Sequence, residues 1–299
     1  MIIYINGDYV PQEEARVSVL DRGYLYGDGV FEGIRAYNGR VFKLEEHIDR
    51  LFDSAHVLLL DIPLTPEELT GAVLETCRRN AITDGYIRIV VSRGVGDLGL
   101  DPNKCKKSTV VIIADRIQLY PEELYRSGMK IMTVPTRRNH HEALNPRLKS
   151  LNYLNNILAK IEANLLGCNE VLMLSQEGYV AEGSSDNVFI VKDGCVITPP
   201  TFMGALKGIT RDVVMELAAA RGASAREEIF TRFEVYTADE CFLTGTACEV
   251  IPVTECDGRR IGGGDPGPIT REIISDFQEL RQREGTPIPG GPDTGGDGT

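Results

Sequence analysis

The stretch from Glu170 to Pro200, EVLMLSQEGYVAEGSSDNVFIVKDGCVITPP, constrains the fold of this chain more than any other segment. Short apolar runs follow one another, separated by turn residues at "EG" (177–178) and "KDG" (192–194). This pattern predicts several antiparallel strands joined by turns. Together with the order of elements elsewhere in the chain, it favours an α+β fold over a regular alternation of parallel strands and helices.

The first part of the chain predicts a mixed unit of strands and helices. Strands are expected within IIYINGDYV and VFEGIRAYNGRVFKL. A helix over LEEHIDRLFDSAHVLLL has one apolar face, formed by Leu44, Ile48, Leu51 and Ala55. A second helix follows Pro66, and two β-branched runs, YIRIVVSR and STVVIIAD, predict strands joined by a glycine-containing loop.

The second part begins with a predicted strand at MKIMTV, and its helix ITRDVVMELAAARG ends at Gly222, a suitable C′ residue. Because 299 residues exceed one average domain, we expect two domains. They cover residues 1–117 and 129–284, linked by a connector at 118–128 that carries one short helix. The tail, 285–299, is rich in Gly, Pro and Asp, and we expect it to be disordered.

The formal net charge of −12 disfavours nucleic acid or an anionic membrane surface as a partner, since both require a basic face. Small molecules are the expected partners. The N-terminus has no basic segment before its apolar residues, and no apolar run approaches the ~20 residues of a membrane helix, so we expect a cytoplasmic protein. Seven cysteines without a C-x-x-C pair suit reduced thiols, and four histidines without ligand spacing argue against a metal site.

The segment GVGDLG, from Gly94 to Gly99, matches the pattern G-x-G-x-x-G and follows a predicted strand. A dinucleotide-binding fingerprint must open directly into a helix whose N-terminus receives the pyrophosphate. Here LDPNKCKKS follows, with a proline and no apolar periodicity. The sequence therefore predicts a hairpin loop rather than a nucleotide site.

In RLKSLNYLNNILAK, Lys149 directly precedes an apolar stripe. The spacing predicts a helix that begins near Ser150, its N-cap, and buries Leu151, Leu154, Leu158, Ile161 and Leu165. An ammonium group is disfavoured at the positive end of a helix dipole, so this position suits an amine that attacks a carbonyl. The alternative is an ordinary lysine at a helix start.

Two other segments predict anion sites. LKGITRD places Gly208, Ile209 and Thr210 at the opening of a helix, where backbone N–H groups and a hydroxyl face one point. CFLTGTACEV ends a strand with small residues at 244–246, which allow a phosphate or carboxylate to approach. Each could also be a plain cap or turn. A reactive lysine with two phosphate-sized sites and no nucleotide motif indicates a phosphorylated aldehyde cofactor.

Seven spaced motifs carry a resemblance to a known family: YLYGDGVFEGIRAYNGRVF, EEHIDRLFDSA, YIRIVVSRG, LKSLNYLNNILAK, EGYVAEGSSDNVFIV, LKGITRD and LTGTACEV. In this order they resemble the fold-type IV pyridoxal-phosphate enzymes, and most closely the branched-chain amino acid aminotransferases. The resemblance covers roughly residues 1–280. It implies a two-domain α+β fold like that of D-amino acid aminotransferase, with a small N-terminal and a larger C-terminal domain.

The resemblance implies a cofactor site for pyridoxal 5′-phosphate. Lys149 would bind the cofactor covalently and then move a proton between the substrate Cα and the cofactor. Glu182 would face the pyridine nitrogen, although alone it could be an exposed hairpin glutamate. Arg50 would hold the phosphate, although alone it could pair with Glu46 on a solvated helix face. The remaining cofactor contacts would be Tyr153 with the ring oxygen, and Gly208, Ile209, Thr210 and Thr246 around the phosphate.

The resemblance also implies a substrate site. The α-carboxylate would bind the backbone at Thr246 and Ala247, helped by Tyr86. Tyr26 and Phe31 would line an apolar side-chain pocket. In addition, Arg88 would meet the distal carboxylate of 2-oxoglutarate or glutamate, although Tyr86 and Arg88 could equally be outward-facing strand residues.

The implied reaction is reversible amino transfer between L-leucine, L-isoleucine or L-valine and 2-oxoglutarate, by a homodimer or higher homo-oligomer. A D-amino acid aminotransferase or a 4-amino-4-deoxychorismate lyase on the same scaffold is the nearest alternative, because the KSLN motif does not decide stereochemistry. A Schiff-base lyase without this cofactor and a phosphometabolite-binding protein are more remote alternatives. The chain has no tryptophan, so the wall that tryptophan provides in some members would come from RIQLYPEEL, through Tyr120.

Overall fold

A computed structural model describes residues 1–117 and 120–290 of the chain. The strands are β1 Ile2–Ile5, β2 Asp8–Pro11, β3 Gly29–Tyr37, β4 Arg40–Val41, β5 Gly85–Ser92, β6 Thr109–Asp115, β7 Met129–Thr133, β8 Glu170–Leu174, β9 Val180–Glu182, β10 Asn187–Lys192, β11 Cys195–Thr198, β12 Ala225–Glu227, β13 Glu240–Gly245, β14 Glu249–Cys256, β15 Arg259–Arg260 and β16 Thr286–Pro287. The helices are α1 Arg22–Tyr26, α2 Leu44–Val57, α3 Pro66–Arg79, α4 Glu122–Ser127, α5 Leu154–Leu165, α6 Ile209–Ala220, α7 Arg232–Tyr236 and α8 Pro268–Arg283.

The described residues divide into two compact units. The first unit holds residues 1–117, 149–151 and those from 281 onward, and the second holds the rest. The sequence expectation differs at two places, because it assigned 149–151 and 281–284 to the C-terminal domain. It also treated 118–128 as a connector, whereas its described residues, including α4, belong to the second unit.

The first unit contains a sheet with the strand order β16-β4-β3-β5-β6-β1-β2. Strands β3, β5 and β6 pair antiparallel, as the two β-branched runs predict. The segment GVGDLG lies in the connection from β5 to β6, and Gly94 has a positive φ of 84°. It is a hairpin loop, as predicted. Helix α2 packs against β3 and buries the predicted face, Leu44, Ile48, Leu51 and Ala55.

The C-terminal tail is ordered in its first residues, which corrects the prediction of a disordered tail from Gly285. Thr286 pairs with Val41 and Pro287 with Arg40, so β16 extends the first sheet at its β4 edge. The Arg40 guanidinium also donates to the Gly285 carbonyl at 3.0 Å. A composition rich in Gly and Pro does not prevent this pairing, because an edge strand needs only a few backbone bonds. Residues 291–299 lie outside the described part of the chain.

The second unit contains a sheet with the order β12-β11-β10-β13-β14-β7-β8-β9, and β15 pairs with β14. Strands β8 to β11 come from the segment 170–200, and the pairs β8–β9 and β10–β11 are antiparallel as predicted. Strand β7 instead pairs parallel with β8 and β14. Tyr120 belongs to the buried apolar cluster of this unit, which also contains Met129 and Ile131, and its role as a substrate wall stays a prediction.

Helix α5 differs from the predicted helix in its start and in its buried face. It begins at Leu154 with Tyr153 as N-cap, not near Ser150. Its buried residues are Ala159 and Ala163, which pack with apolar residues that include β8. The predicted stripe is exposed on α5: Leu154, Leu158, Ile161 and Leu165 are 45–82% exposed. The small alanines allow the helix to approach the sheet closely, and this turns the leucines away from the core.

Candidate active site

Lys149 lies in an extended segment beside β3, not at the start of a helix. The Phe31 amide donates to the Lys149 carbonyl at 3.0 Å, and Ser150 forms a β-bridge with Val30. The Lys149 amide lies 3.4 Å from the Ser54 hydroxyl of α2. The prediction that Lys149 stands at the positive end of a helix dipole is therefore wrong, because Ser150 is bound to a strand instead of capping a helix.

The Phe31 ring brings two cationic side chains together in the first unit. The Lys149 Nζ lies 4.7 Å from the ring centre, and the Arg88 guanidinium carbon lies 4.3 Å from it. Phe31 is buried, and the negative face of an aromatic ring attracts both cations. Three residues that the sequence assigned to one site, from three separate segments, are thus neighbours. Together they form a surface that carries an amine, an apolar ring and a guanidinium group.

Tyr86 lies on the same face of the sheet as Phe31 and Arg88. In the antiparallel register of β3 and β5, Arg88 is opposite Gly33 and Phe31 is opposite Val90, and alternate residues share a face. The Tyr86 hydroxyl reaches across to Gly33: a Cβ at Gly33 would lie 1.9 Å from it. Glycine at this position therefore makes room for the hydroxyl. Tyr86 and Arg88 are half-buried and alternate with the fully buried Ile87 and Ile89, so they lie on the less buried face of β5.

Tyr26, the second residue predicted for the apolar pocket, lies at the end of α1. Its hydroxyl donates to the Leu98 carbonyl, and the Arg22 guanidinium lies 5.2 Å from its ring centre. These contacts attach Tyr26 to the loop after β5. The side chain is 37% exposed. The contacts with Leu98 and Arg22 give no support for a position beside Phe31.

Arg50 pairs with a buried carboxylate that the sequence interpretation missed. Its Nε donates to Oε1 of Glu32 at 2.7 Å, and its Nη2 donates to Oε2 at 2.8 Å. The His47 Nδ1 lies 2.7 Å from the same Oε2. Glu46, the alternative partner from the sequence, pairs with Lys43. Arg50 is therefore not a solvated partner of Glu46, and its guanidinium is held against β3.

The protonation states within this group follow from its surroundings. Burial opposes ionisation of Glu32, but the charge of Arg50 and the hydrogen bonds from Arg50 and His47 outweigh it and hold the pKa of Glu32 well below its usual range. Burial lowers the pKa of His47 more than Glu32 raises it, and the charges of Arg50 and Lys149 lower it further. His47 is therefore neutral, and since Glu32 is an acceptor only, the His47 proton is on Nδ1.

Glu182, in the second unit, is buried rather than exposed on a hairpin. The Arg138 guanidinium lies 2.9 Å from its Oε1, and the Leu206 amide donates to its Oε2 at 2.8 Å. Arg138 is itself held by the Asn155 and Asn156 side chains. These donors match a carboxylate, because its two oxygens accept hydrogen bonds from a guanidinium and from a backbone amide.

The predicted anion site lies at the start of α6, where the backbone forms the expected first turn of a helix. The helix begins at Ile209 with Gly208 as N-cap, and no side chain caps its first amides. These N–H groups lack partners within the helix, and Thr210, in the first turn, is buried. A Cβ at Gly208 would lie 2.0 Å from Oδ1 of Asn187, so glycine is needed for this close approach. The first turn of α6 therefore has the features of an anion cradle.

The turn between β13 and β14 carries Thr246 and Ala247, both half-buried. Beneath it lies Asp186, whose Oδ1 accepts from the Cys248 thiol at 3.1 Å. A Cβ at Gly245 would lie 2.5 Å from that oxygen, so the carboxyl group lies directly against the turn. Burial, and next the charge of Glu170, raise the pKa of Asp186 to about 7.

Comparison with known proteins gives one family for most of the chain. The family model described as amino-transferase class IV matches residues 29–256. The chain belongs to the class IV aminotransferases. The resemblance found in the sequence motifs is thus confirmed, and this aminotransferase is an enzyme of the predicted α+β class.

Individual relatives of the aminotransferase cover nearly its whole length. A Methanocaldococcus jannaschii protein, which is named a branched-chain-amino-acid aminotransferase only provisionally, is 53% identical over 96% of this chain and 99% of its own. The branched-chain-amino-acid aminotransferase of Pseudomonas aeruginosa is 40% identical over 93% of this chain and 92% of its own. The T.th. branched-chain amino acid aminotransferase with pyridoxamine 5′-phosphate superposes with a TM-score of 0.90 at 40% identity, covering 94% of each chain. Other structures of that enzyme hold N-(5′-phosphopyridoxyl)-L-glutamate or 4-methylvaleric acid.

Four buried polar residues were missed by the sequence interpretation: Glu32 and His47 in the first unit, and Arg138 and Asp186 in the second. The sequence pattern could have indicated Glu32, since a carboxylate within the apolar run VFEGI requires a buried partner. It could also have indicated His47, because this residue lies three residues before Arg50 and so on the same helix face. The spacing of residues in the sequence does not indicate Arg138 or Asp186. Among the described residues, no helix is long and apolar enough to cross a membrane, and no acidic, His or Cys cluster could hold a metal ion.

Proposed function

We propose that the chain is a pyridoxal-phosphate-dependent transaminase that exchanges the amino group between L-leucine, L-isoleucine or L-valine and 2-oxoglutarate. The observation that carries this is the Phe31 ring with Lys149 and Arg88 upon it. An apolar ring suits a branched aliphatic side chain, and the adjacent guanidinium suits the distal carboxylate of the acceptor. One surface can thus accept both substrates in turn, next to a reactive amine.

The residues present fit the cofactor. The open first turn of α6 at Gly208, Ile209 and Thr210 suits a phosphate, and a Cβ at Gly208 would displace Asn187. The family resemblance assigns Arg50 and Thr246 to the phosphate as well, as a cation and a small turn residue. The buried carboxyl group of Glu182 suits a protonated pyridine nitrogen, and Tyr153 would bind the ring oxygen. When bound, pyridoxal phosphate supplies a conjugated ring that withdraws the electron pair left at the substrate Cα.

The chain's own groups would perform the remaining steps. Lys149 would hold the cofactor through Nζ, and its amine would accept the proton that leaves the substrate Cα. The family resemblance assigns the substrate α-carboxylate to the turn at Thr246 and Ala247 and to Tyr86. Phe31 would exclude water from the aliphatic side chain, whereas Tyr26 is assigned to this pocket by the family resemblance alone. Arg88 orients the distal carboxylate of 2-oxoglutarate, with which it can form two parallel hydrogen bonds.

A substrate comparison tests this proposal. Purified protein is assayed with 2-oxoglutarate and either L-leucine or D-alanine, and glutamate formation is measured. Turnover of L-leucine alone is expected. Turnover of D-alanine alone would identify a D-amino acid aminotransferase, and release of pyruvate from 4-amino-4-deoxychorismate without an acceptor would identify the lyase. A colourless protein that pyridoxal phosphate does not turn yellow would refute the cofactor assignment.

A matched pair of lysine variants tests the role of Lys149. Lys149→Ala is expected to keep the fold and lose transamination by several orders of magnitude, because the proton-transferring amine is gone. Lys130→Ala is the control, since Lys130 is exposed and forms only a surface ion pair with Glu255. Unchanged turnover in Lys149→Ala, with circular dichroism like that of the wild type, would assign the chemistry to another residue.

We further propose that the protein is a homodimer or a higher homo-oligomer in the cytoplasm. The exposed apolar residues of α5 support this, since a row of this kind is costly to leave in water. They are Leu154, Ile157, Leu158, Ile161 and Leu165. The seven free cysteines support a reducing compartment. Light scattering should give a multiple of the 32.9 kDa chain mass, and Ile157→Glu should shift it toward the monomer. A wild-type monomer would contradict this.

A further inference from the structure

Glu32 is a fully buried carboxylate on β3 that faces helix α2. Taking such a charge out of water costs several kcal/mol unless it is paired and hydrogen-bonded. Arg50 and His47 provide these partners, with three contacts of 2.7–2.8 Å. Glu32 occupies a buried position on β3, an interior strand of the first sheet, where an apolar residue would pack at lower cost. Stability alone therefore does not explain it.

The geometry determines the direction of the Arg50 guanidinium. Two parallel hydrogen bonds, from Nε and Nη2 to the two oxygens of Glu32, fix both the plane and the rotation of a planar group. An arginine held through one bond, or by charge alone, would keep several rotamers. Arg50 is 13% exposed, so most of its surface is enclosed while its charge remains accessible to a ligand.

His47 in turn fixes Glu32. It is neutral, and its Nδ1–H donates to the oxygen that also accepts from Arg50 Nη2. His47 and Arg50 are three residues apart on α2, so both reach the carboxylate from one helix face. A neutral donor stabilises the carboxylate without adding positive charge, so Arg50 supplies the cation of this three-residue group.

This network adjoins the Lys149 segment. Glu32 follows Phe31, whose amide donates to the Lys149 carbonyl. The Lys149 amide lies 3.4 Å from Ser54, which is one helical turn after Arg50 on α2. The charge of Lys149 is also close enough to lower the pKa of His47. The direction of the Arg50 guanidinium is therefore set next to the lysine that the proposed function places at the cofactor.

We propose that Glu32 and His47 are positioning residues that aim the Arg50 guanidinium at the cofactor phosphate. This rests on the proposed function, in which Arg50 binds that phosphate. The proposal predicts whether neutralisation of Glu32 tightens or weakens the binding of the phosphate. If Glu32 acted only through its charge, its neutralisation would remove a negative group near an anion and tighten phosphate binding. If it positions Arg50, neutralisation releases one of the two hydrogen bonds and weakens binding.

The test is the equilibrium dissociation constant of pyridoxal phosphate for the Glu32→Gln protein, measured by absorbance, with pyridoxal as the second ligand. We expect the constant for pyridoxal phosphate to rise roughly 10- to 100-fold, the effect of a charge-assisted hydrogen bond. The constant for pyridoxal, which has no phosphate, should stay within about twofold of the wild type. A purely structural role would weaken both ligands alike, and that result would overturn the proposal. Tighter or unchanged binding of pyridoxal phosphate would also overturn it.

Two further variants show that the effect passes through Arg50. In an Arg50→Ala background, Glu32→Gln should cause no further loss of pyridoxal phosphate affinity, because the group that it positions is absent. A full additional loss would overturn the proposal. Glu46→Gln is the matched control: it neutralises an exposed glutamate of α2 that pairs with Lys43, and it should leave both constants unchanged.

If Glu32→Gln does not fold, a pair of His47 variants carries the test. His47→Asn keeps an N–H donor near the position of Nδ1 and should retain wild-type affinity for pyridoxal phosphate. His47→Ala loses the donor and should weaken pyridoxal phosphate, but not pyridoxal, by about 10-fold. Equal affinities for pyridoxal phosphate in the two variants would overturn the proposal. A wild-type protein that binds no pyridoxal phosphate refutes the proposed function as well, whereas binding unaffected by Arg50→Ala refutes this inference alone.

Discussion

Asp186 should make the stability of this protein fall as the pH rises, and Asp186→Asn should remove that fall. The side chain is 4% exposed, and its Oδ2 has no hydrogen-bond partner among the described residues. Burial, followed by the charge of Glu170, raises its pKa from 3.8 to about 7, although the Cys248 hydrogen bond opposes this. The folded protein therefore keeps a proton that the unfolded chain has already released.

The sign and size of the effect follow from this difference. Between the two pKa values the folded state binds more protons than the unfolded state, so stability decreases with rising pH, by about 1.4 kcal/mol per tenfold change in proton concentration. From about pH 5 to about pH 8, Asp186 alone should cost about 3 kcal/mol. Below the unfolded pKa of 3.8 and above about 7 it contributes no slope. An asparagine cannot ionise, so the variant loses this pH-dependent contribution to the free energy of unfolding.

The assay is urea unfolding at the two pH values, followed by far-ultraviolet circular dichroism because the chain has no tryptophan. The quantity compared is the pH-dependent change in the free energy of unfolding, in the wild type and in Asp186→Asn. Asp84→Asn, at an exposed position, serves as the control and should follow the wild type. If Asp186→Asn and the wild type lose the same free energy between the two pH values, the burial argument is refuted.

Three further substitutions test other contacts. Gly33→Ala would place a Cβ 1.9 Å from the Tyr86 hydroxyl, so the ring must move, and kcat/KM for L-leucine should fall about 10- to 100-fold in steady-state assays. Gly208→Ala would place a Cβ 2.0 Å from Oδ1 of Asn187, and equilibrium titration should show pyridoxal phosphate bound about 10-fold more weakly. Leu51→Ala removes a fully buried side chain of α2 and should lower the free energy of unfolding by about 2–5 kcal/mol, while pyridoxal phosphate affinity changes little.

Local patterns predicted the elements whose neighbours in sequence are also their neighbours in space. The strands β5 and β6 pair with each other, and the apolar face of α2 is buried as its spacing indicates. The predicted helix at Lys149 failed for the opposite reason. Its first residues pair with β3, more than a hundred positions earlier, and no local pattern contains that partner. The exposed leucines of α5 also follow helical spacing, so spacing alone could not separate a core face from a surface.

The sequence by itself determined the antiparallel strands of the second unit, the start of α6 at Gly208 and the family, because turn residues, caps and motifs act over a few positions. The tertiary structure alone decided the electrostatic setting of the site. Glu32 becomes a fixed anion only because α2 lies against β3, and Lys149 meets Arg88 only because both reach the Phe31 ring. The strength of charge interactions and hydrogen bonds depends on distance in space and on exclusion of water. The spacing of residues along the sequence predicts neither of these.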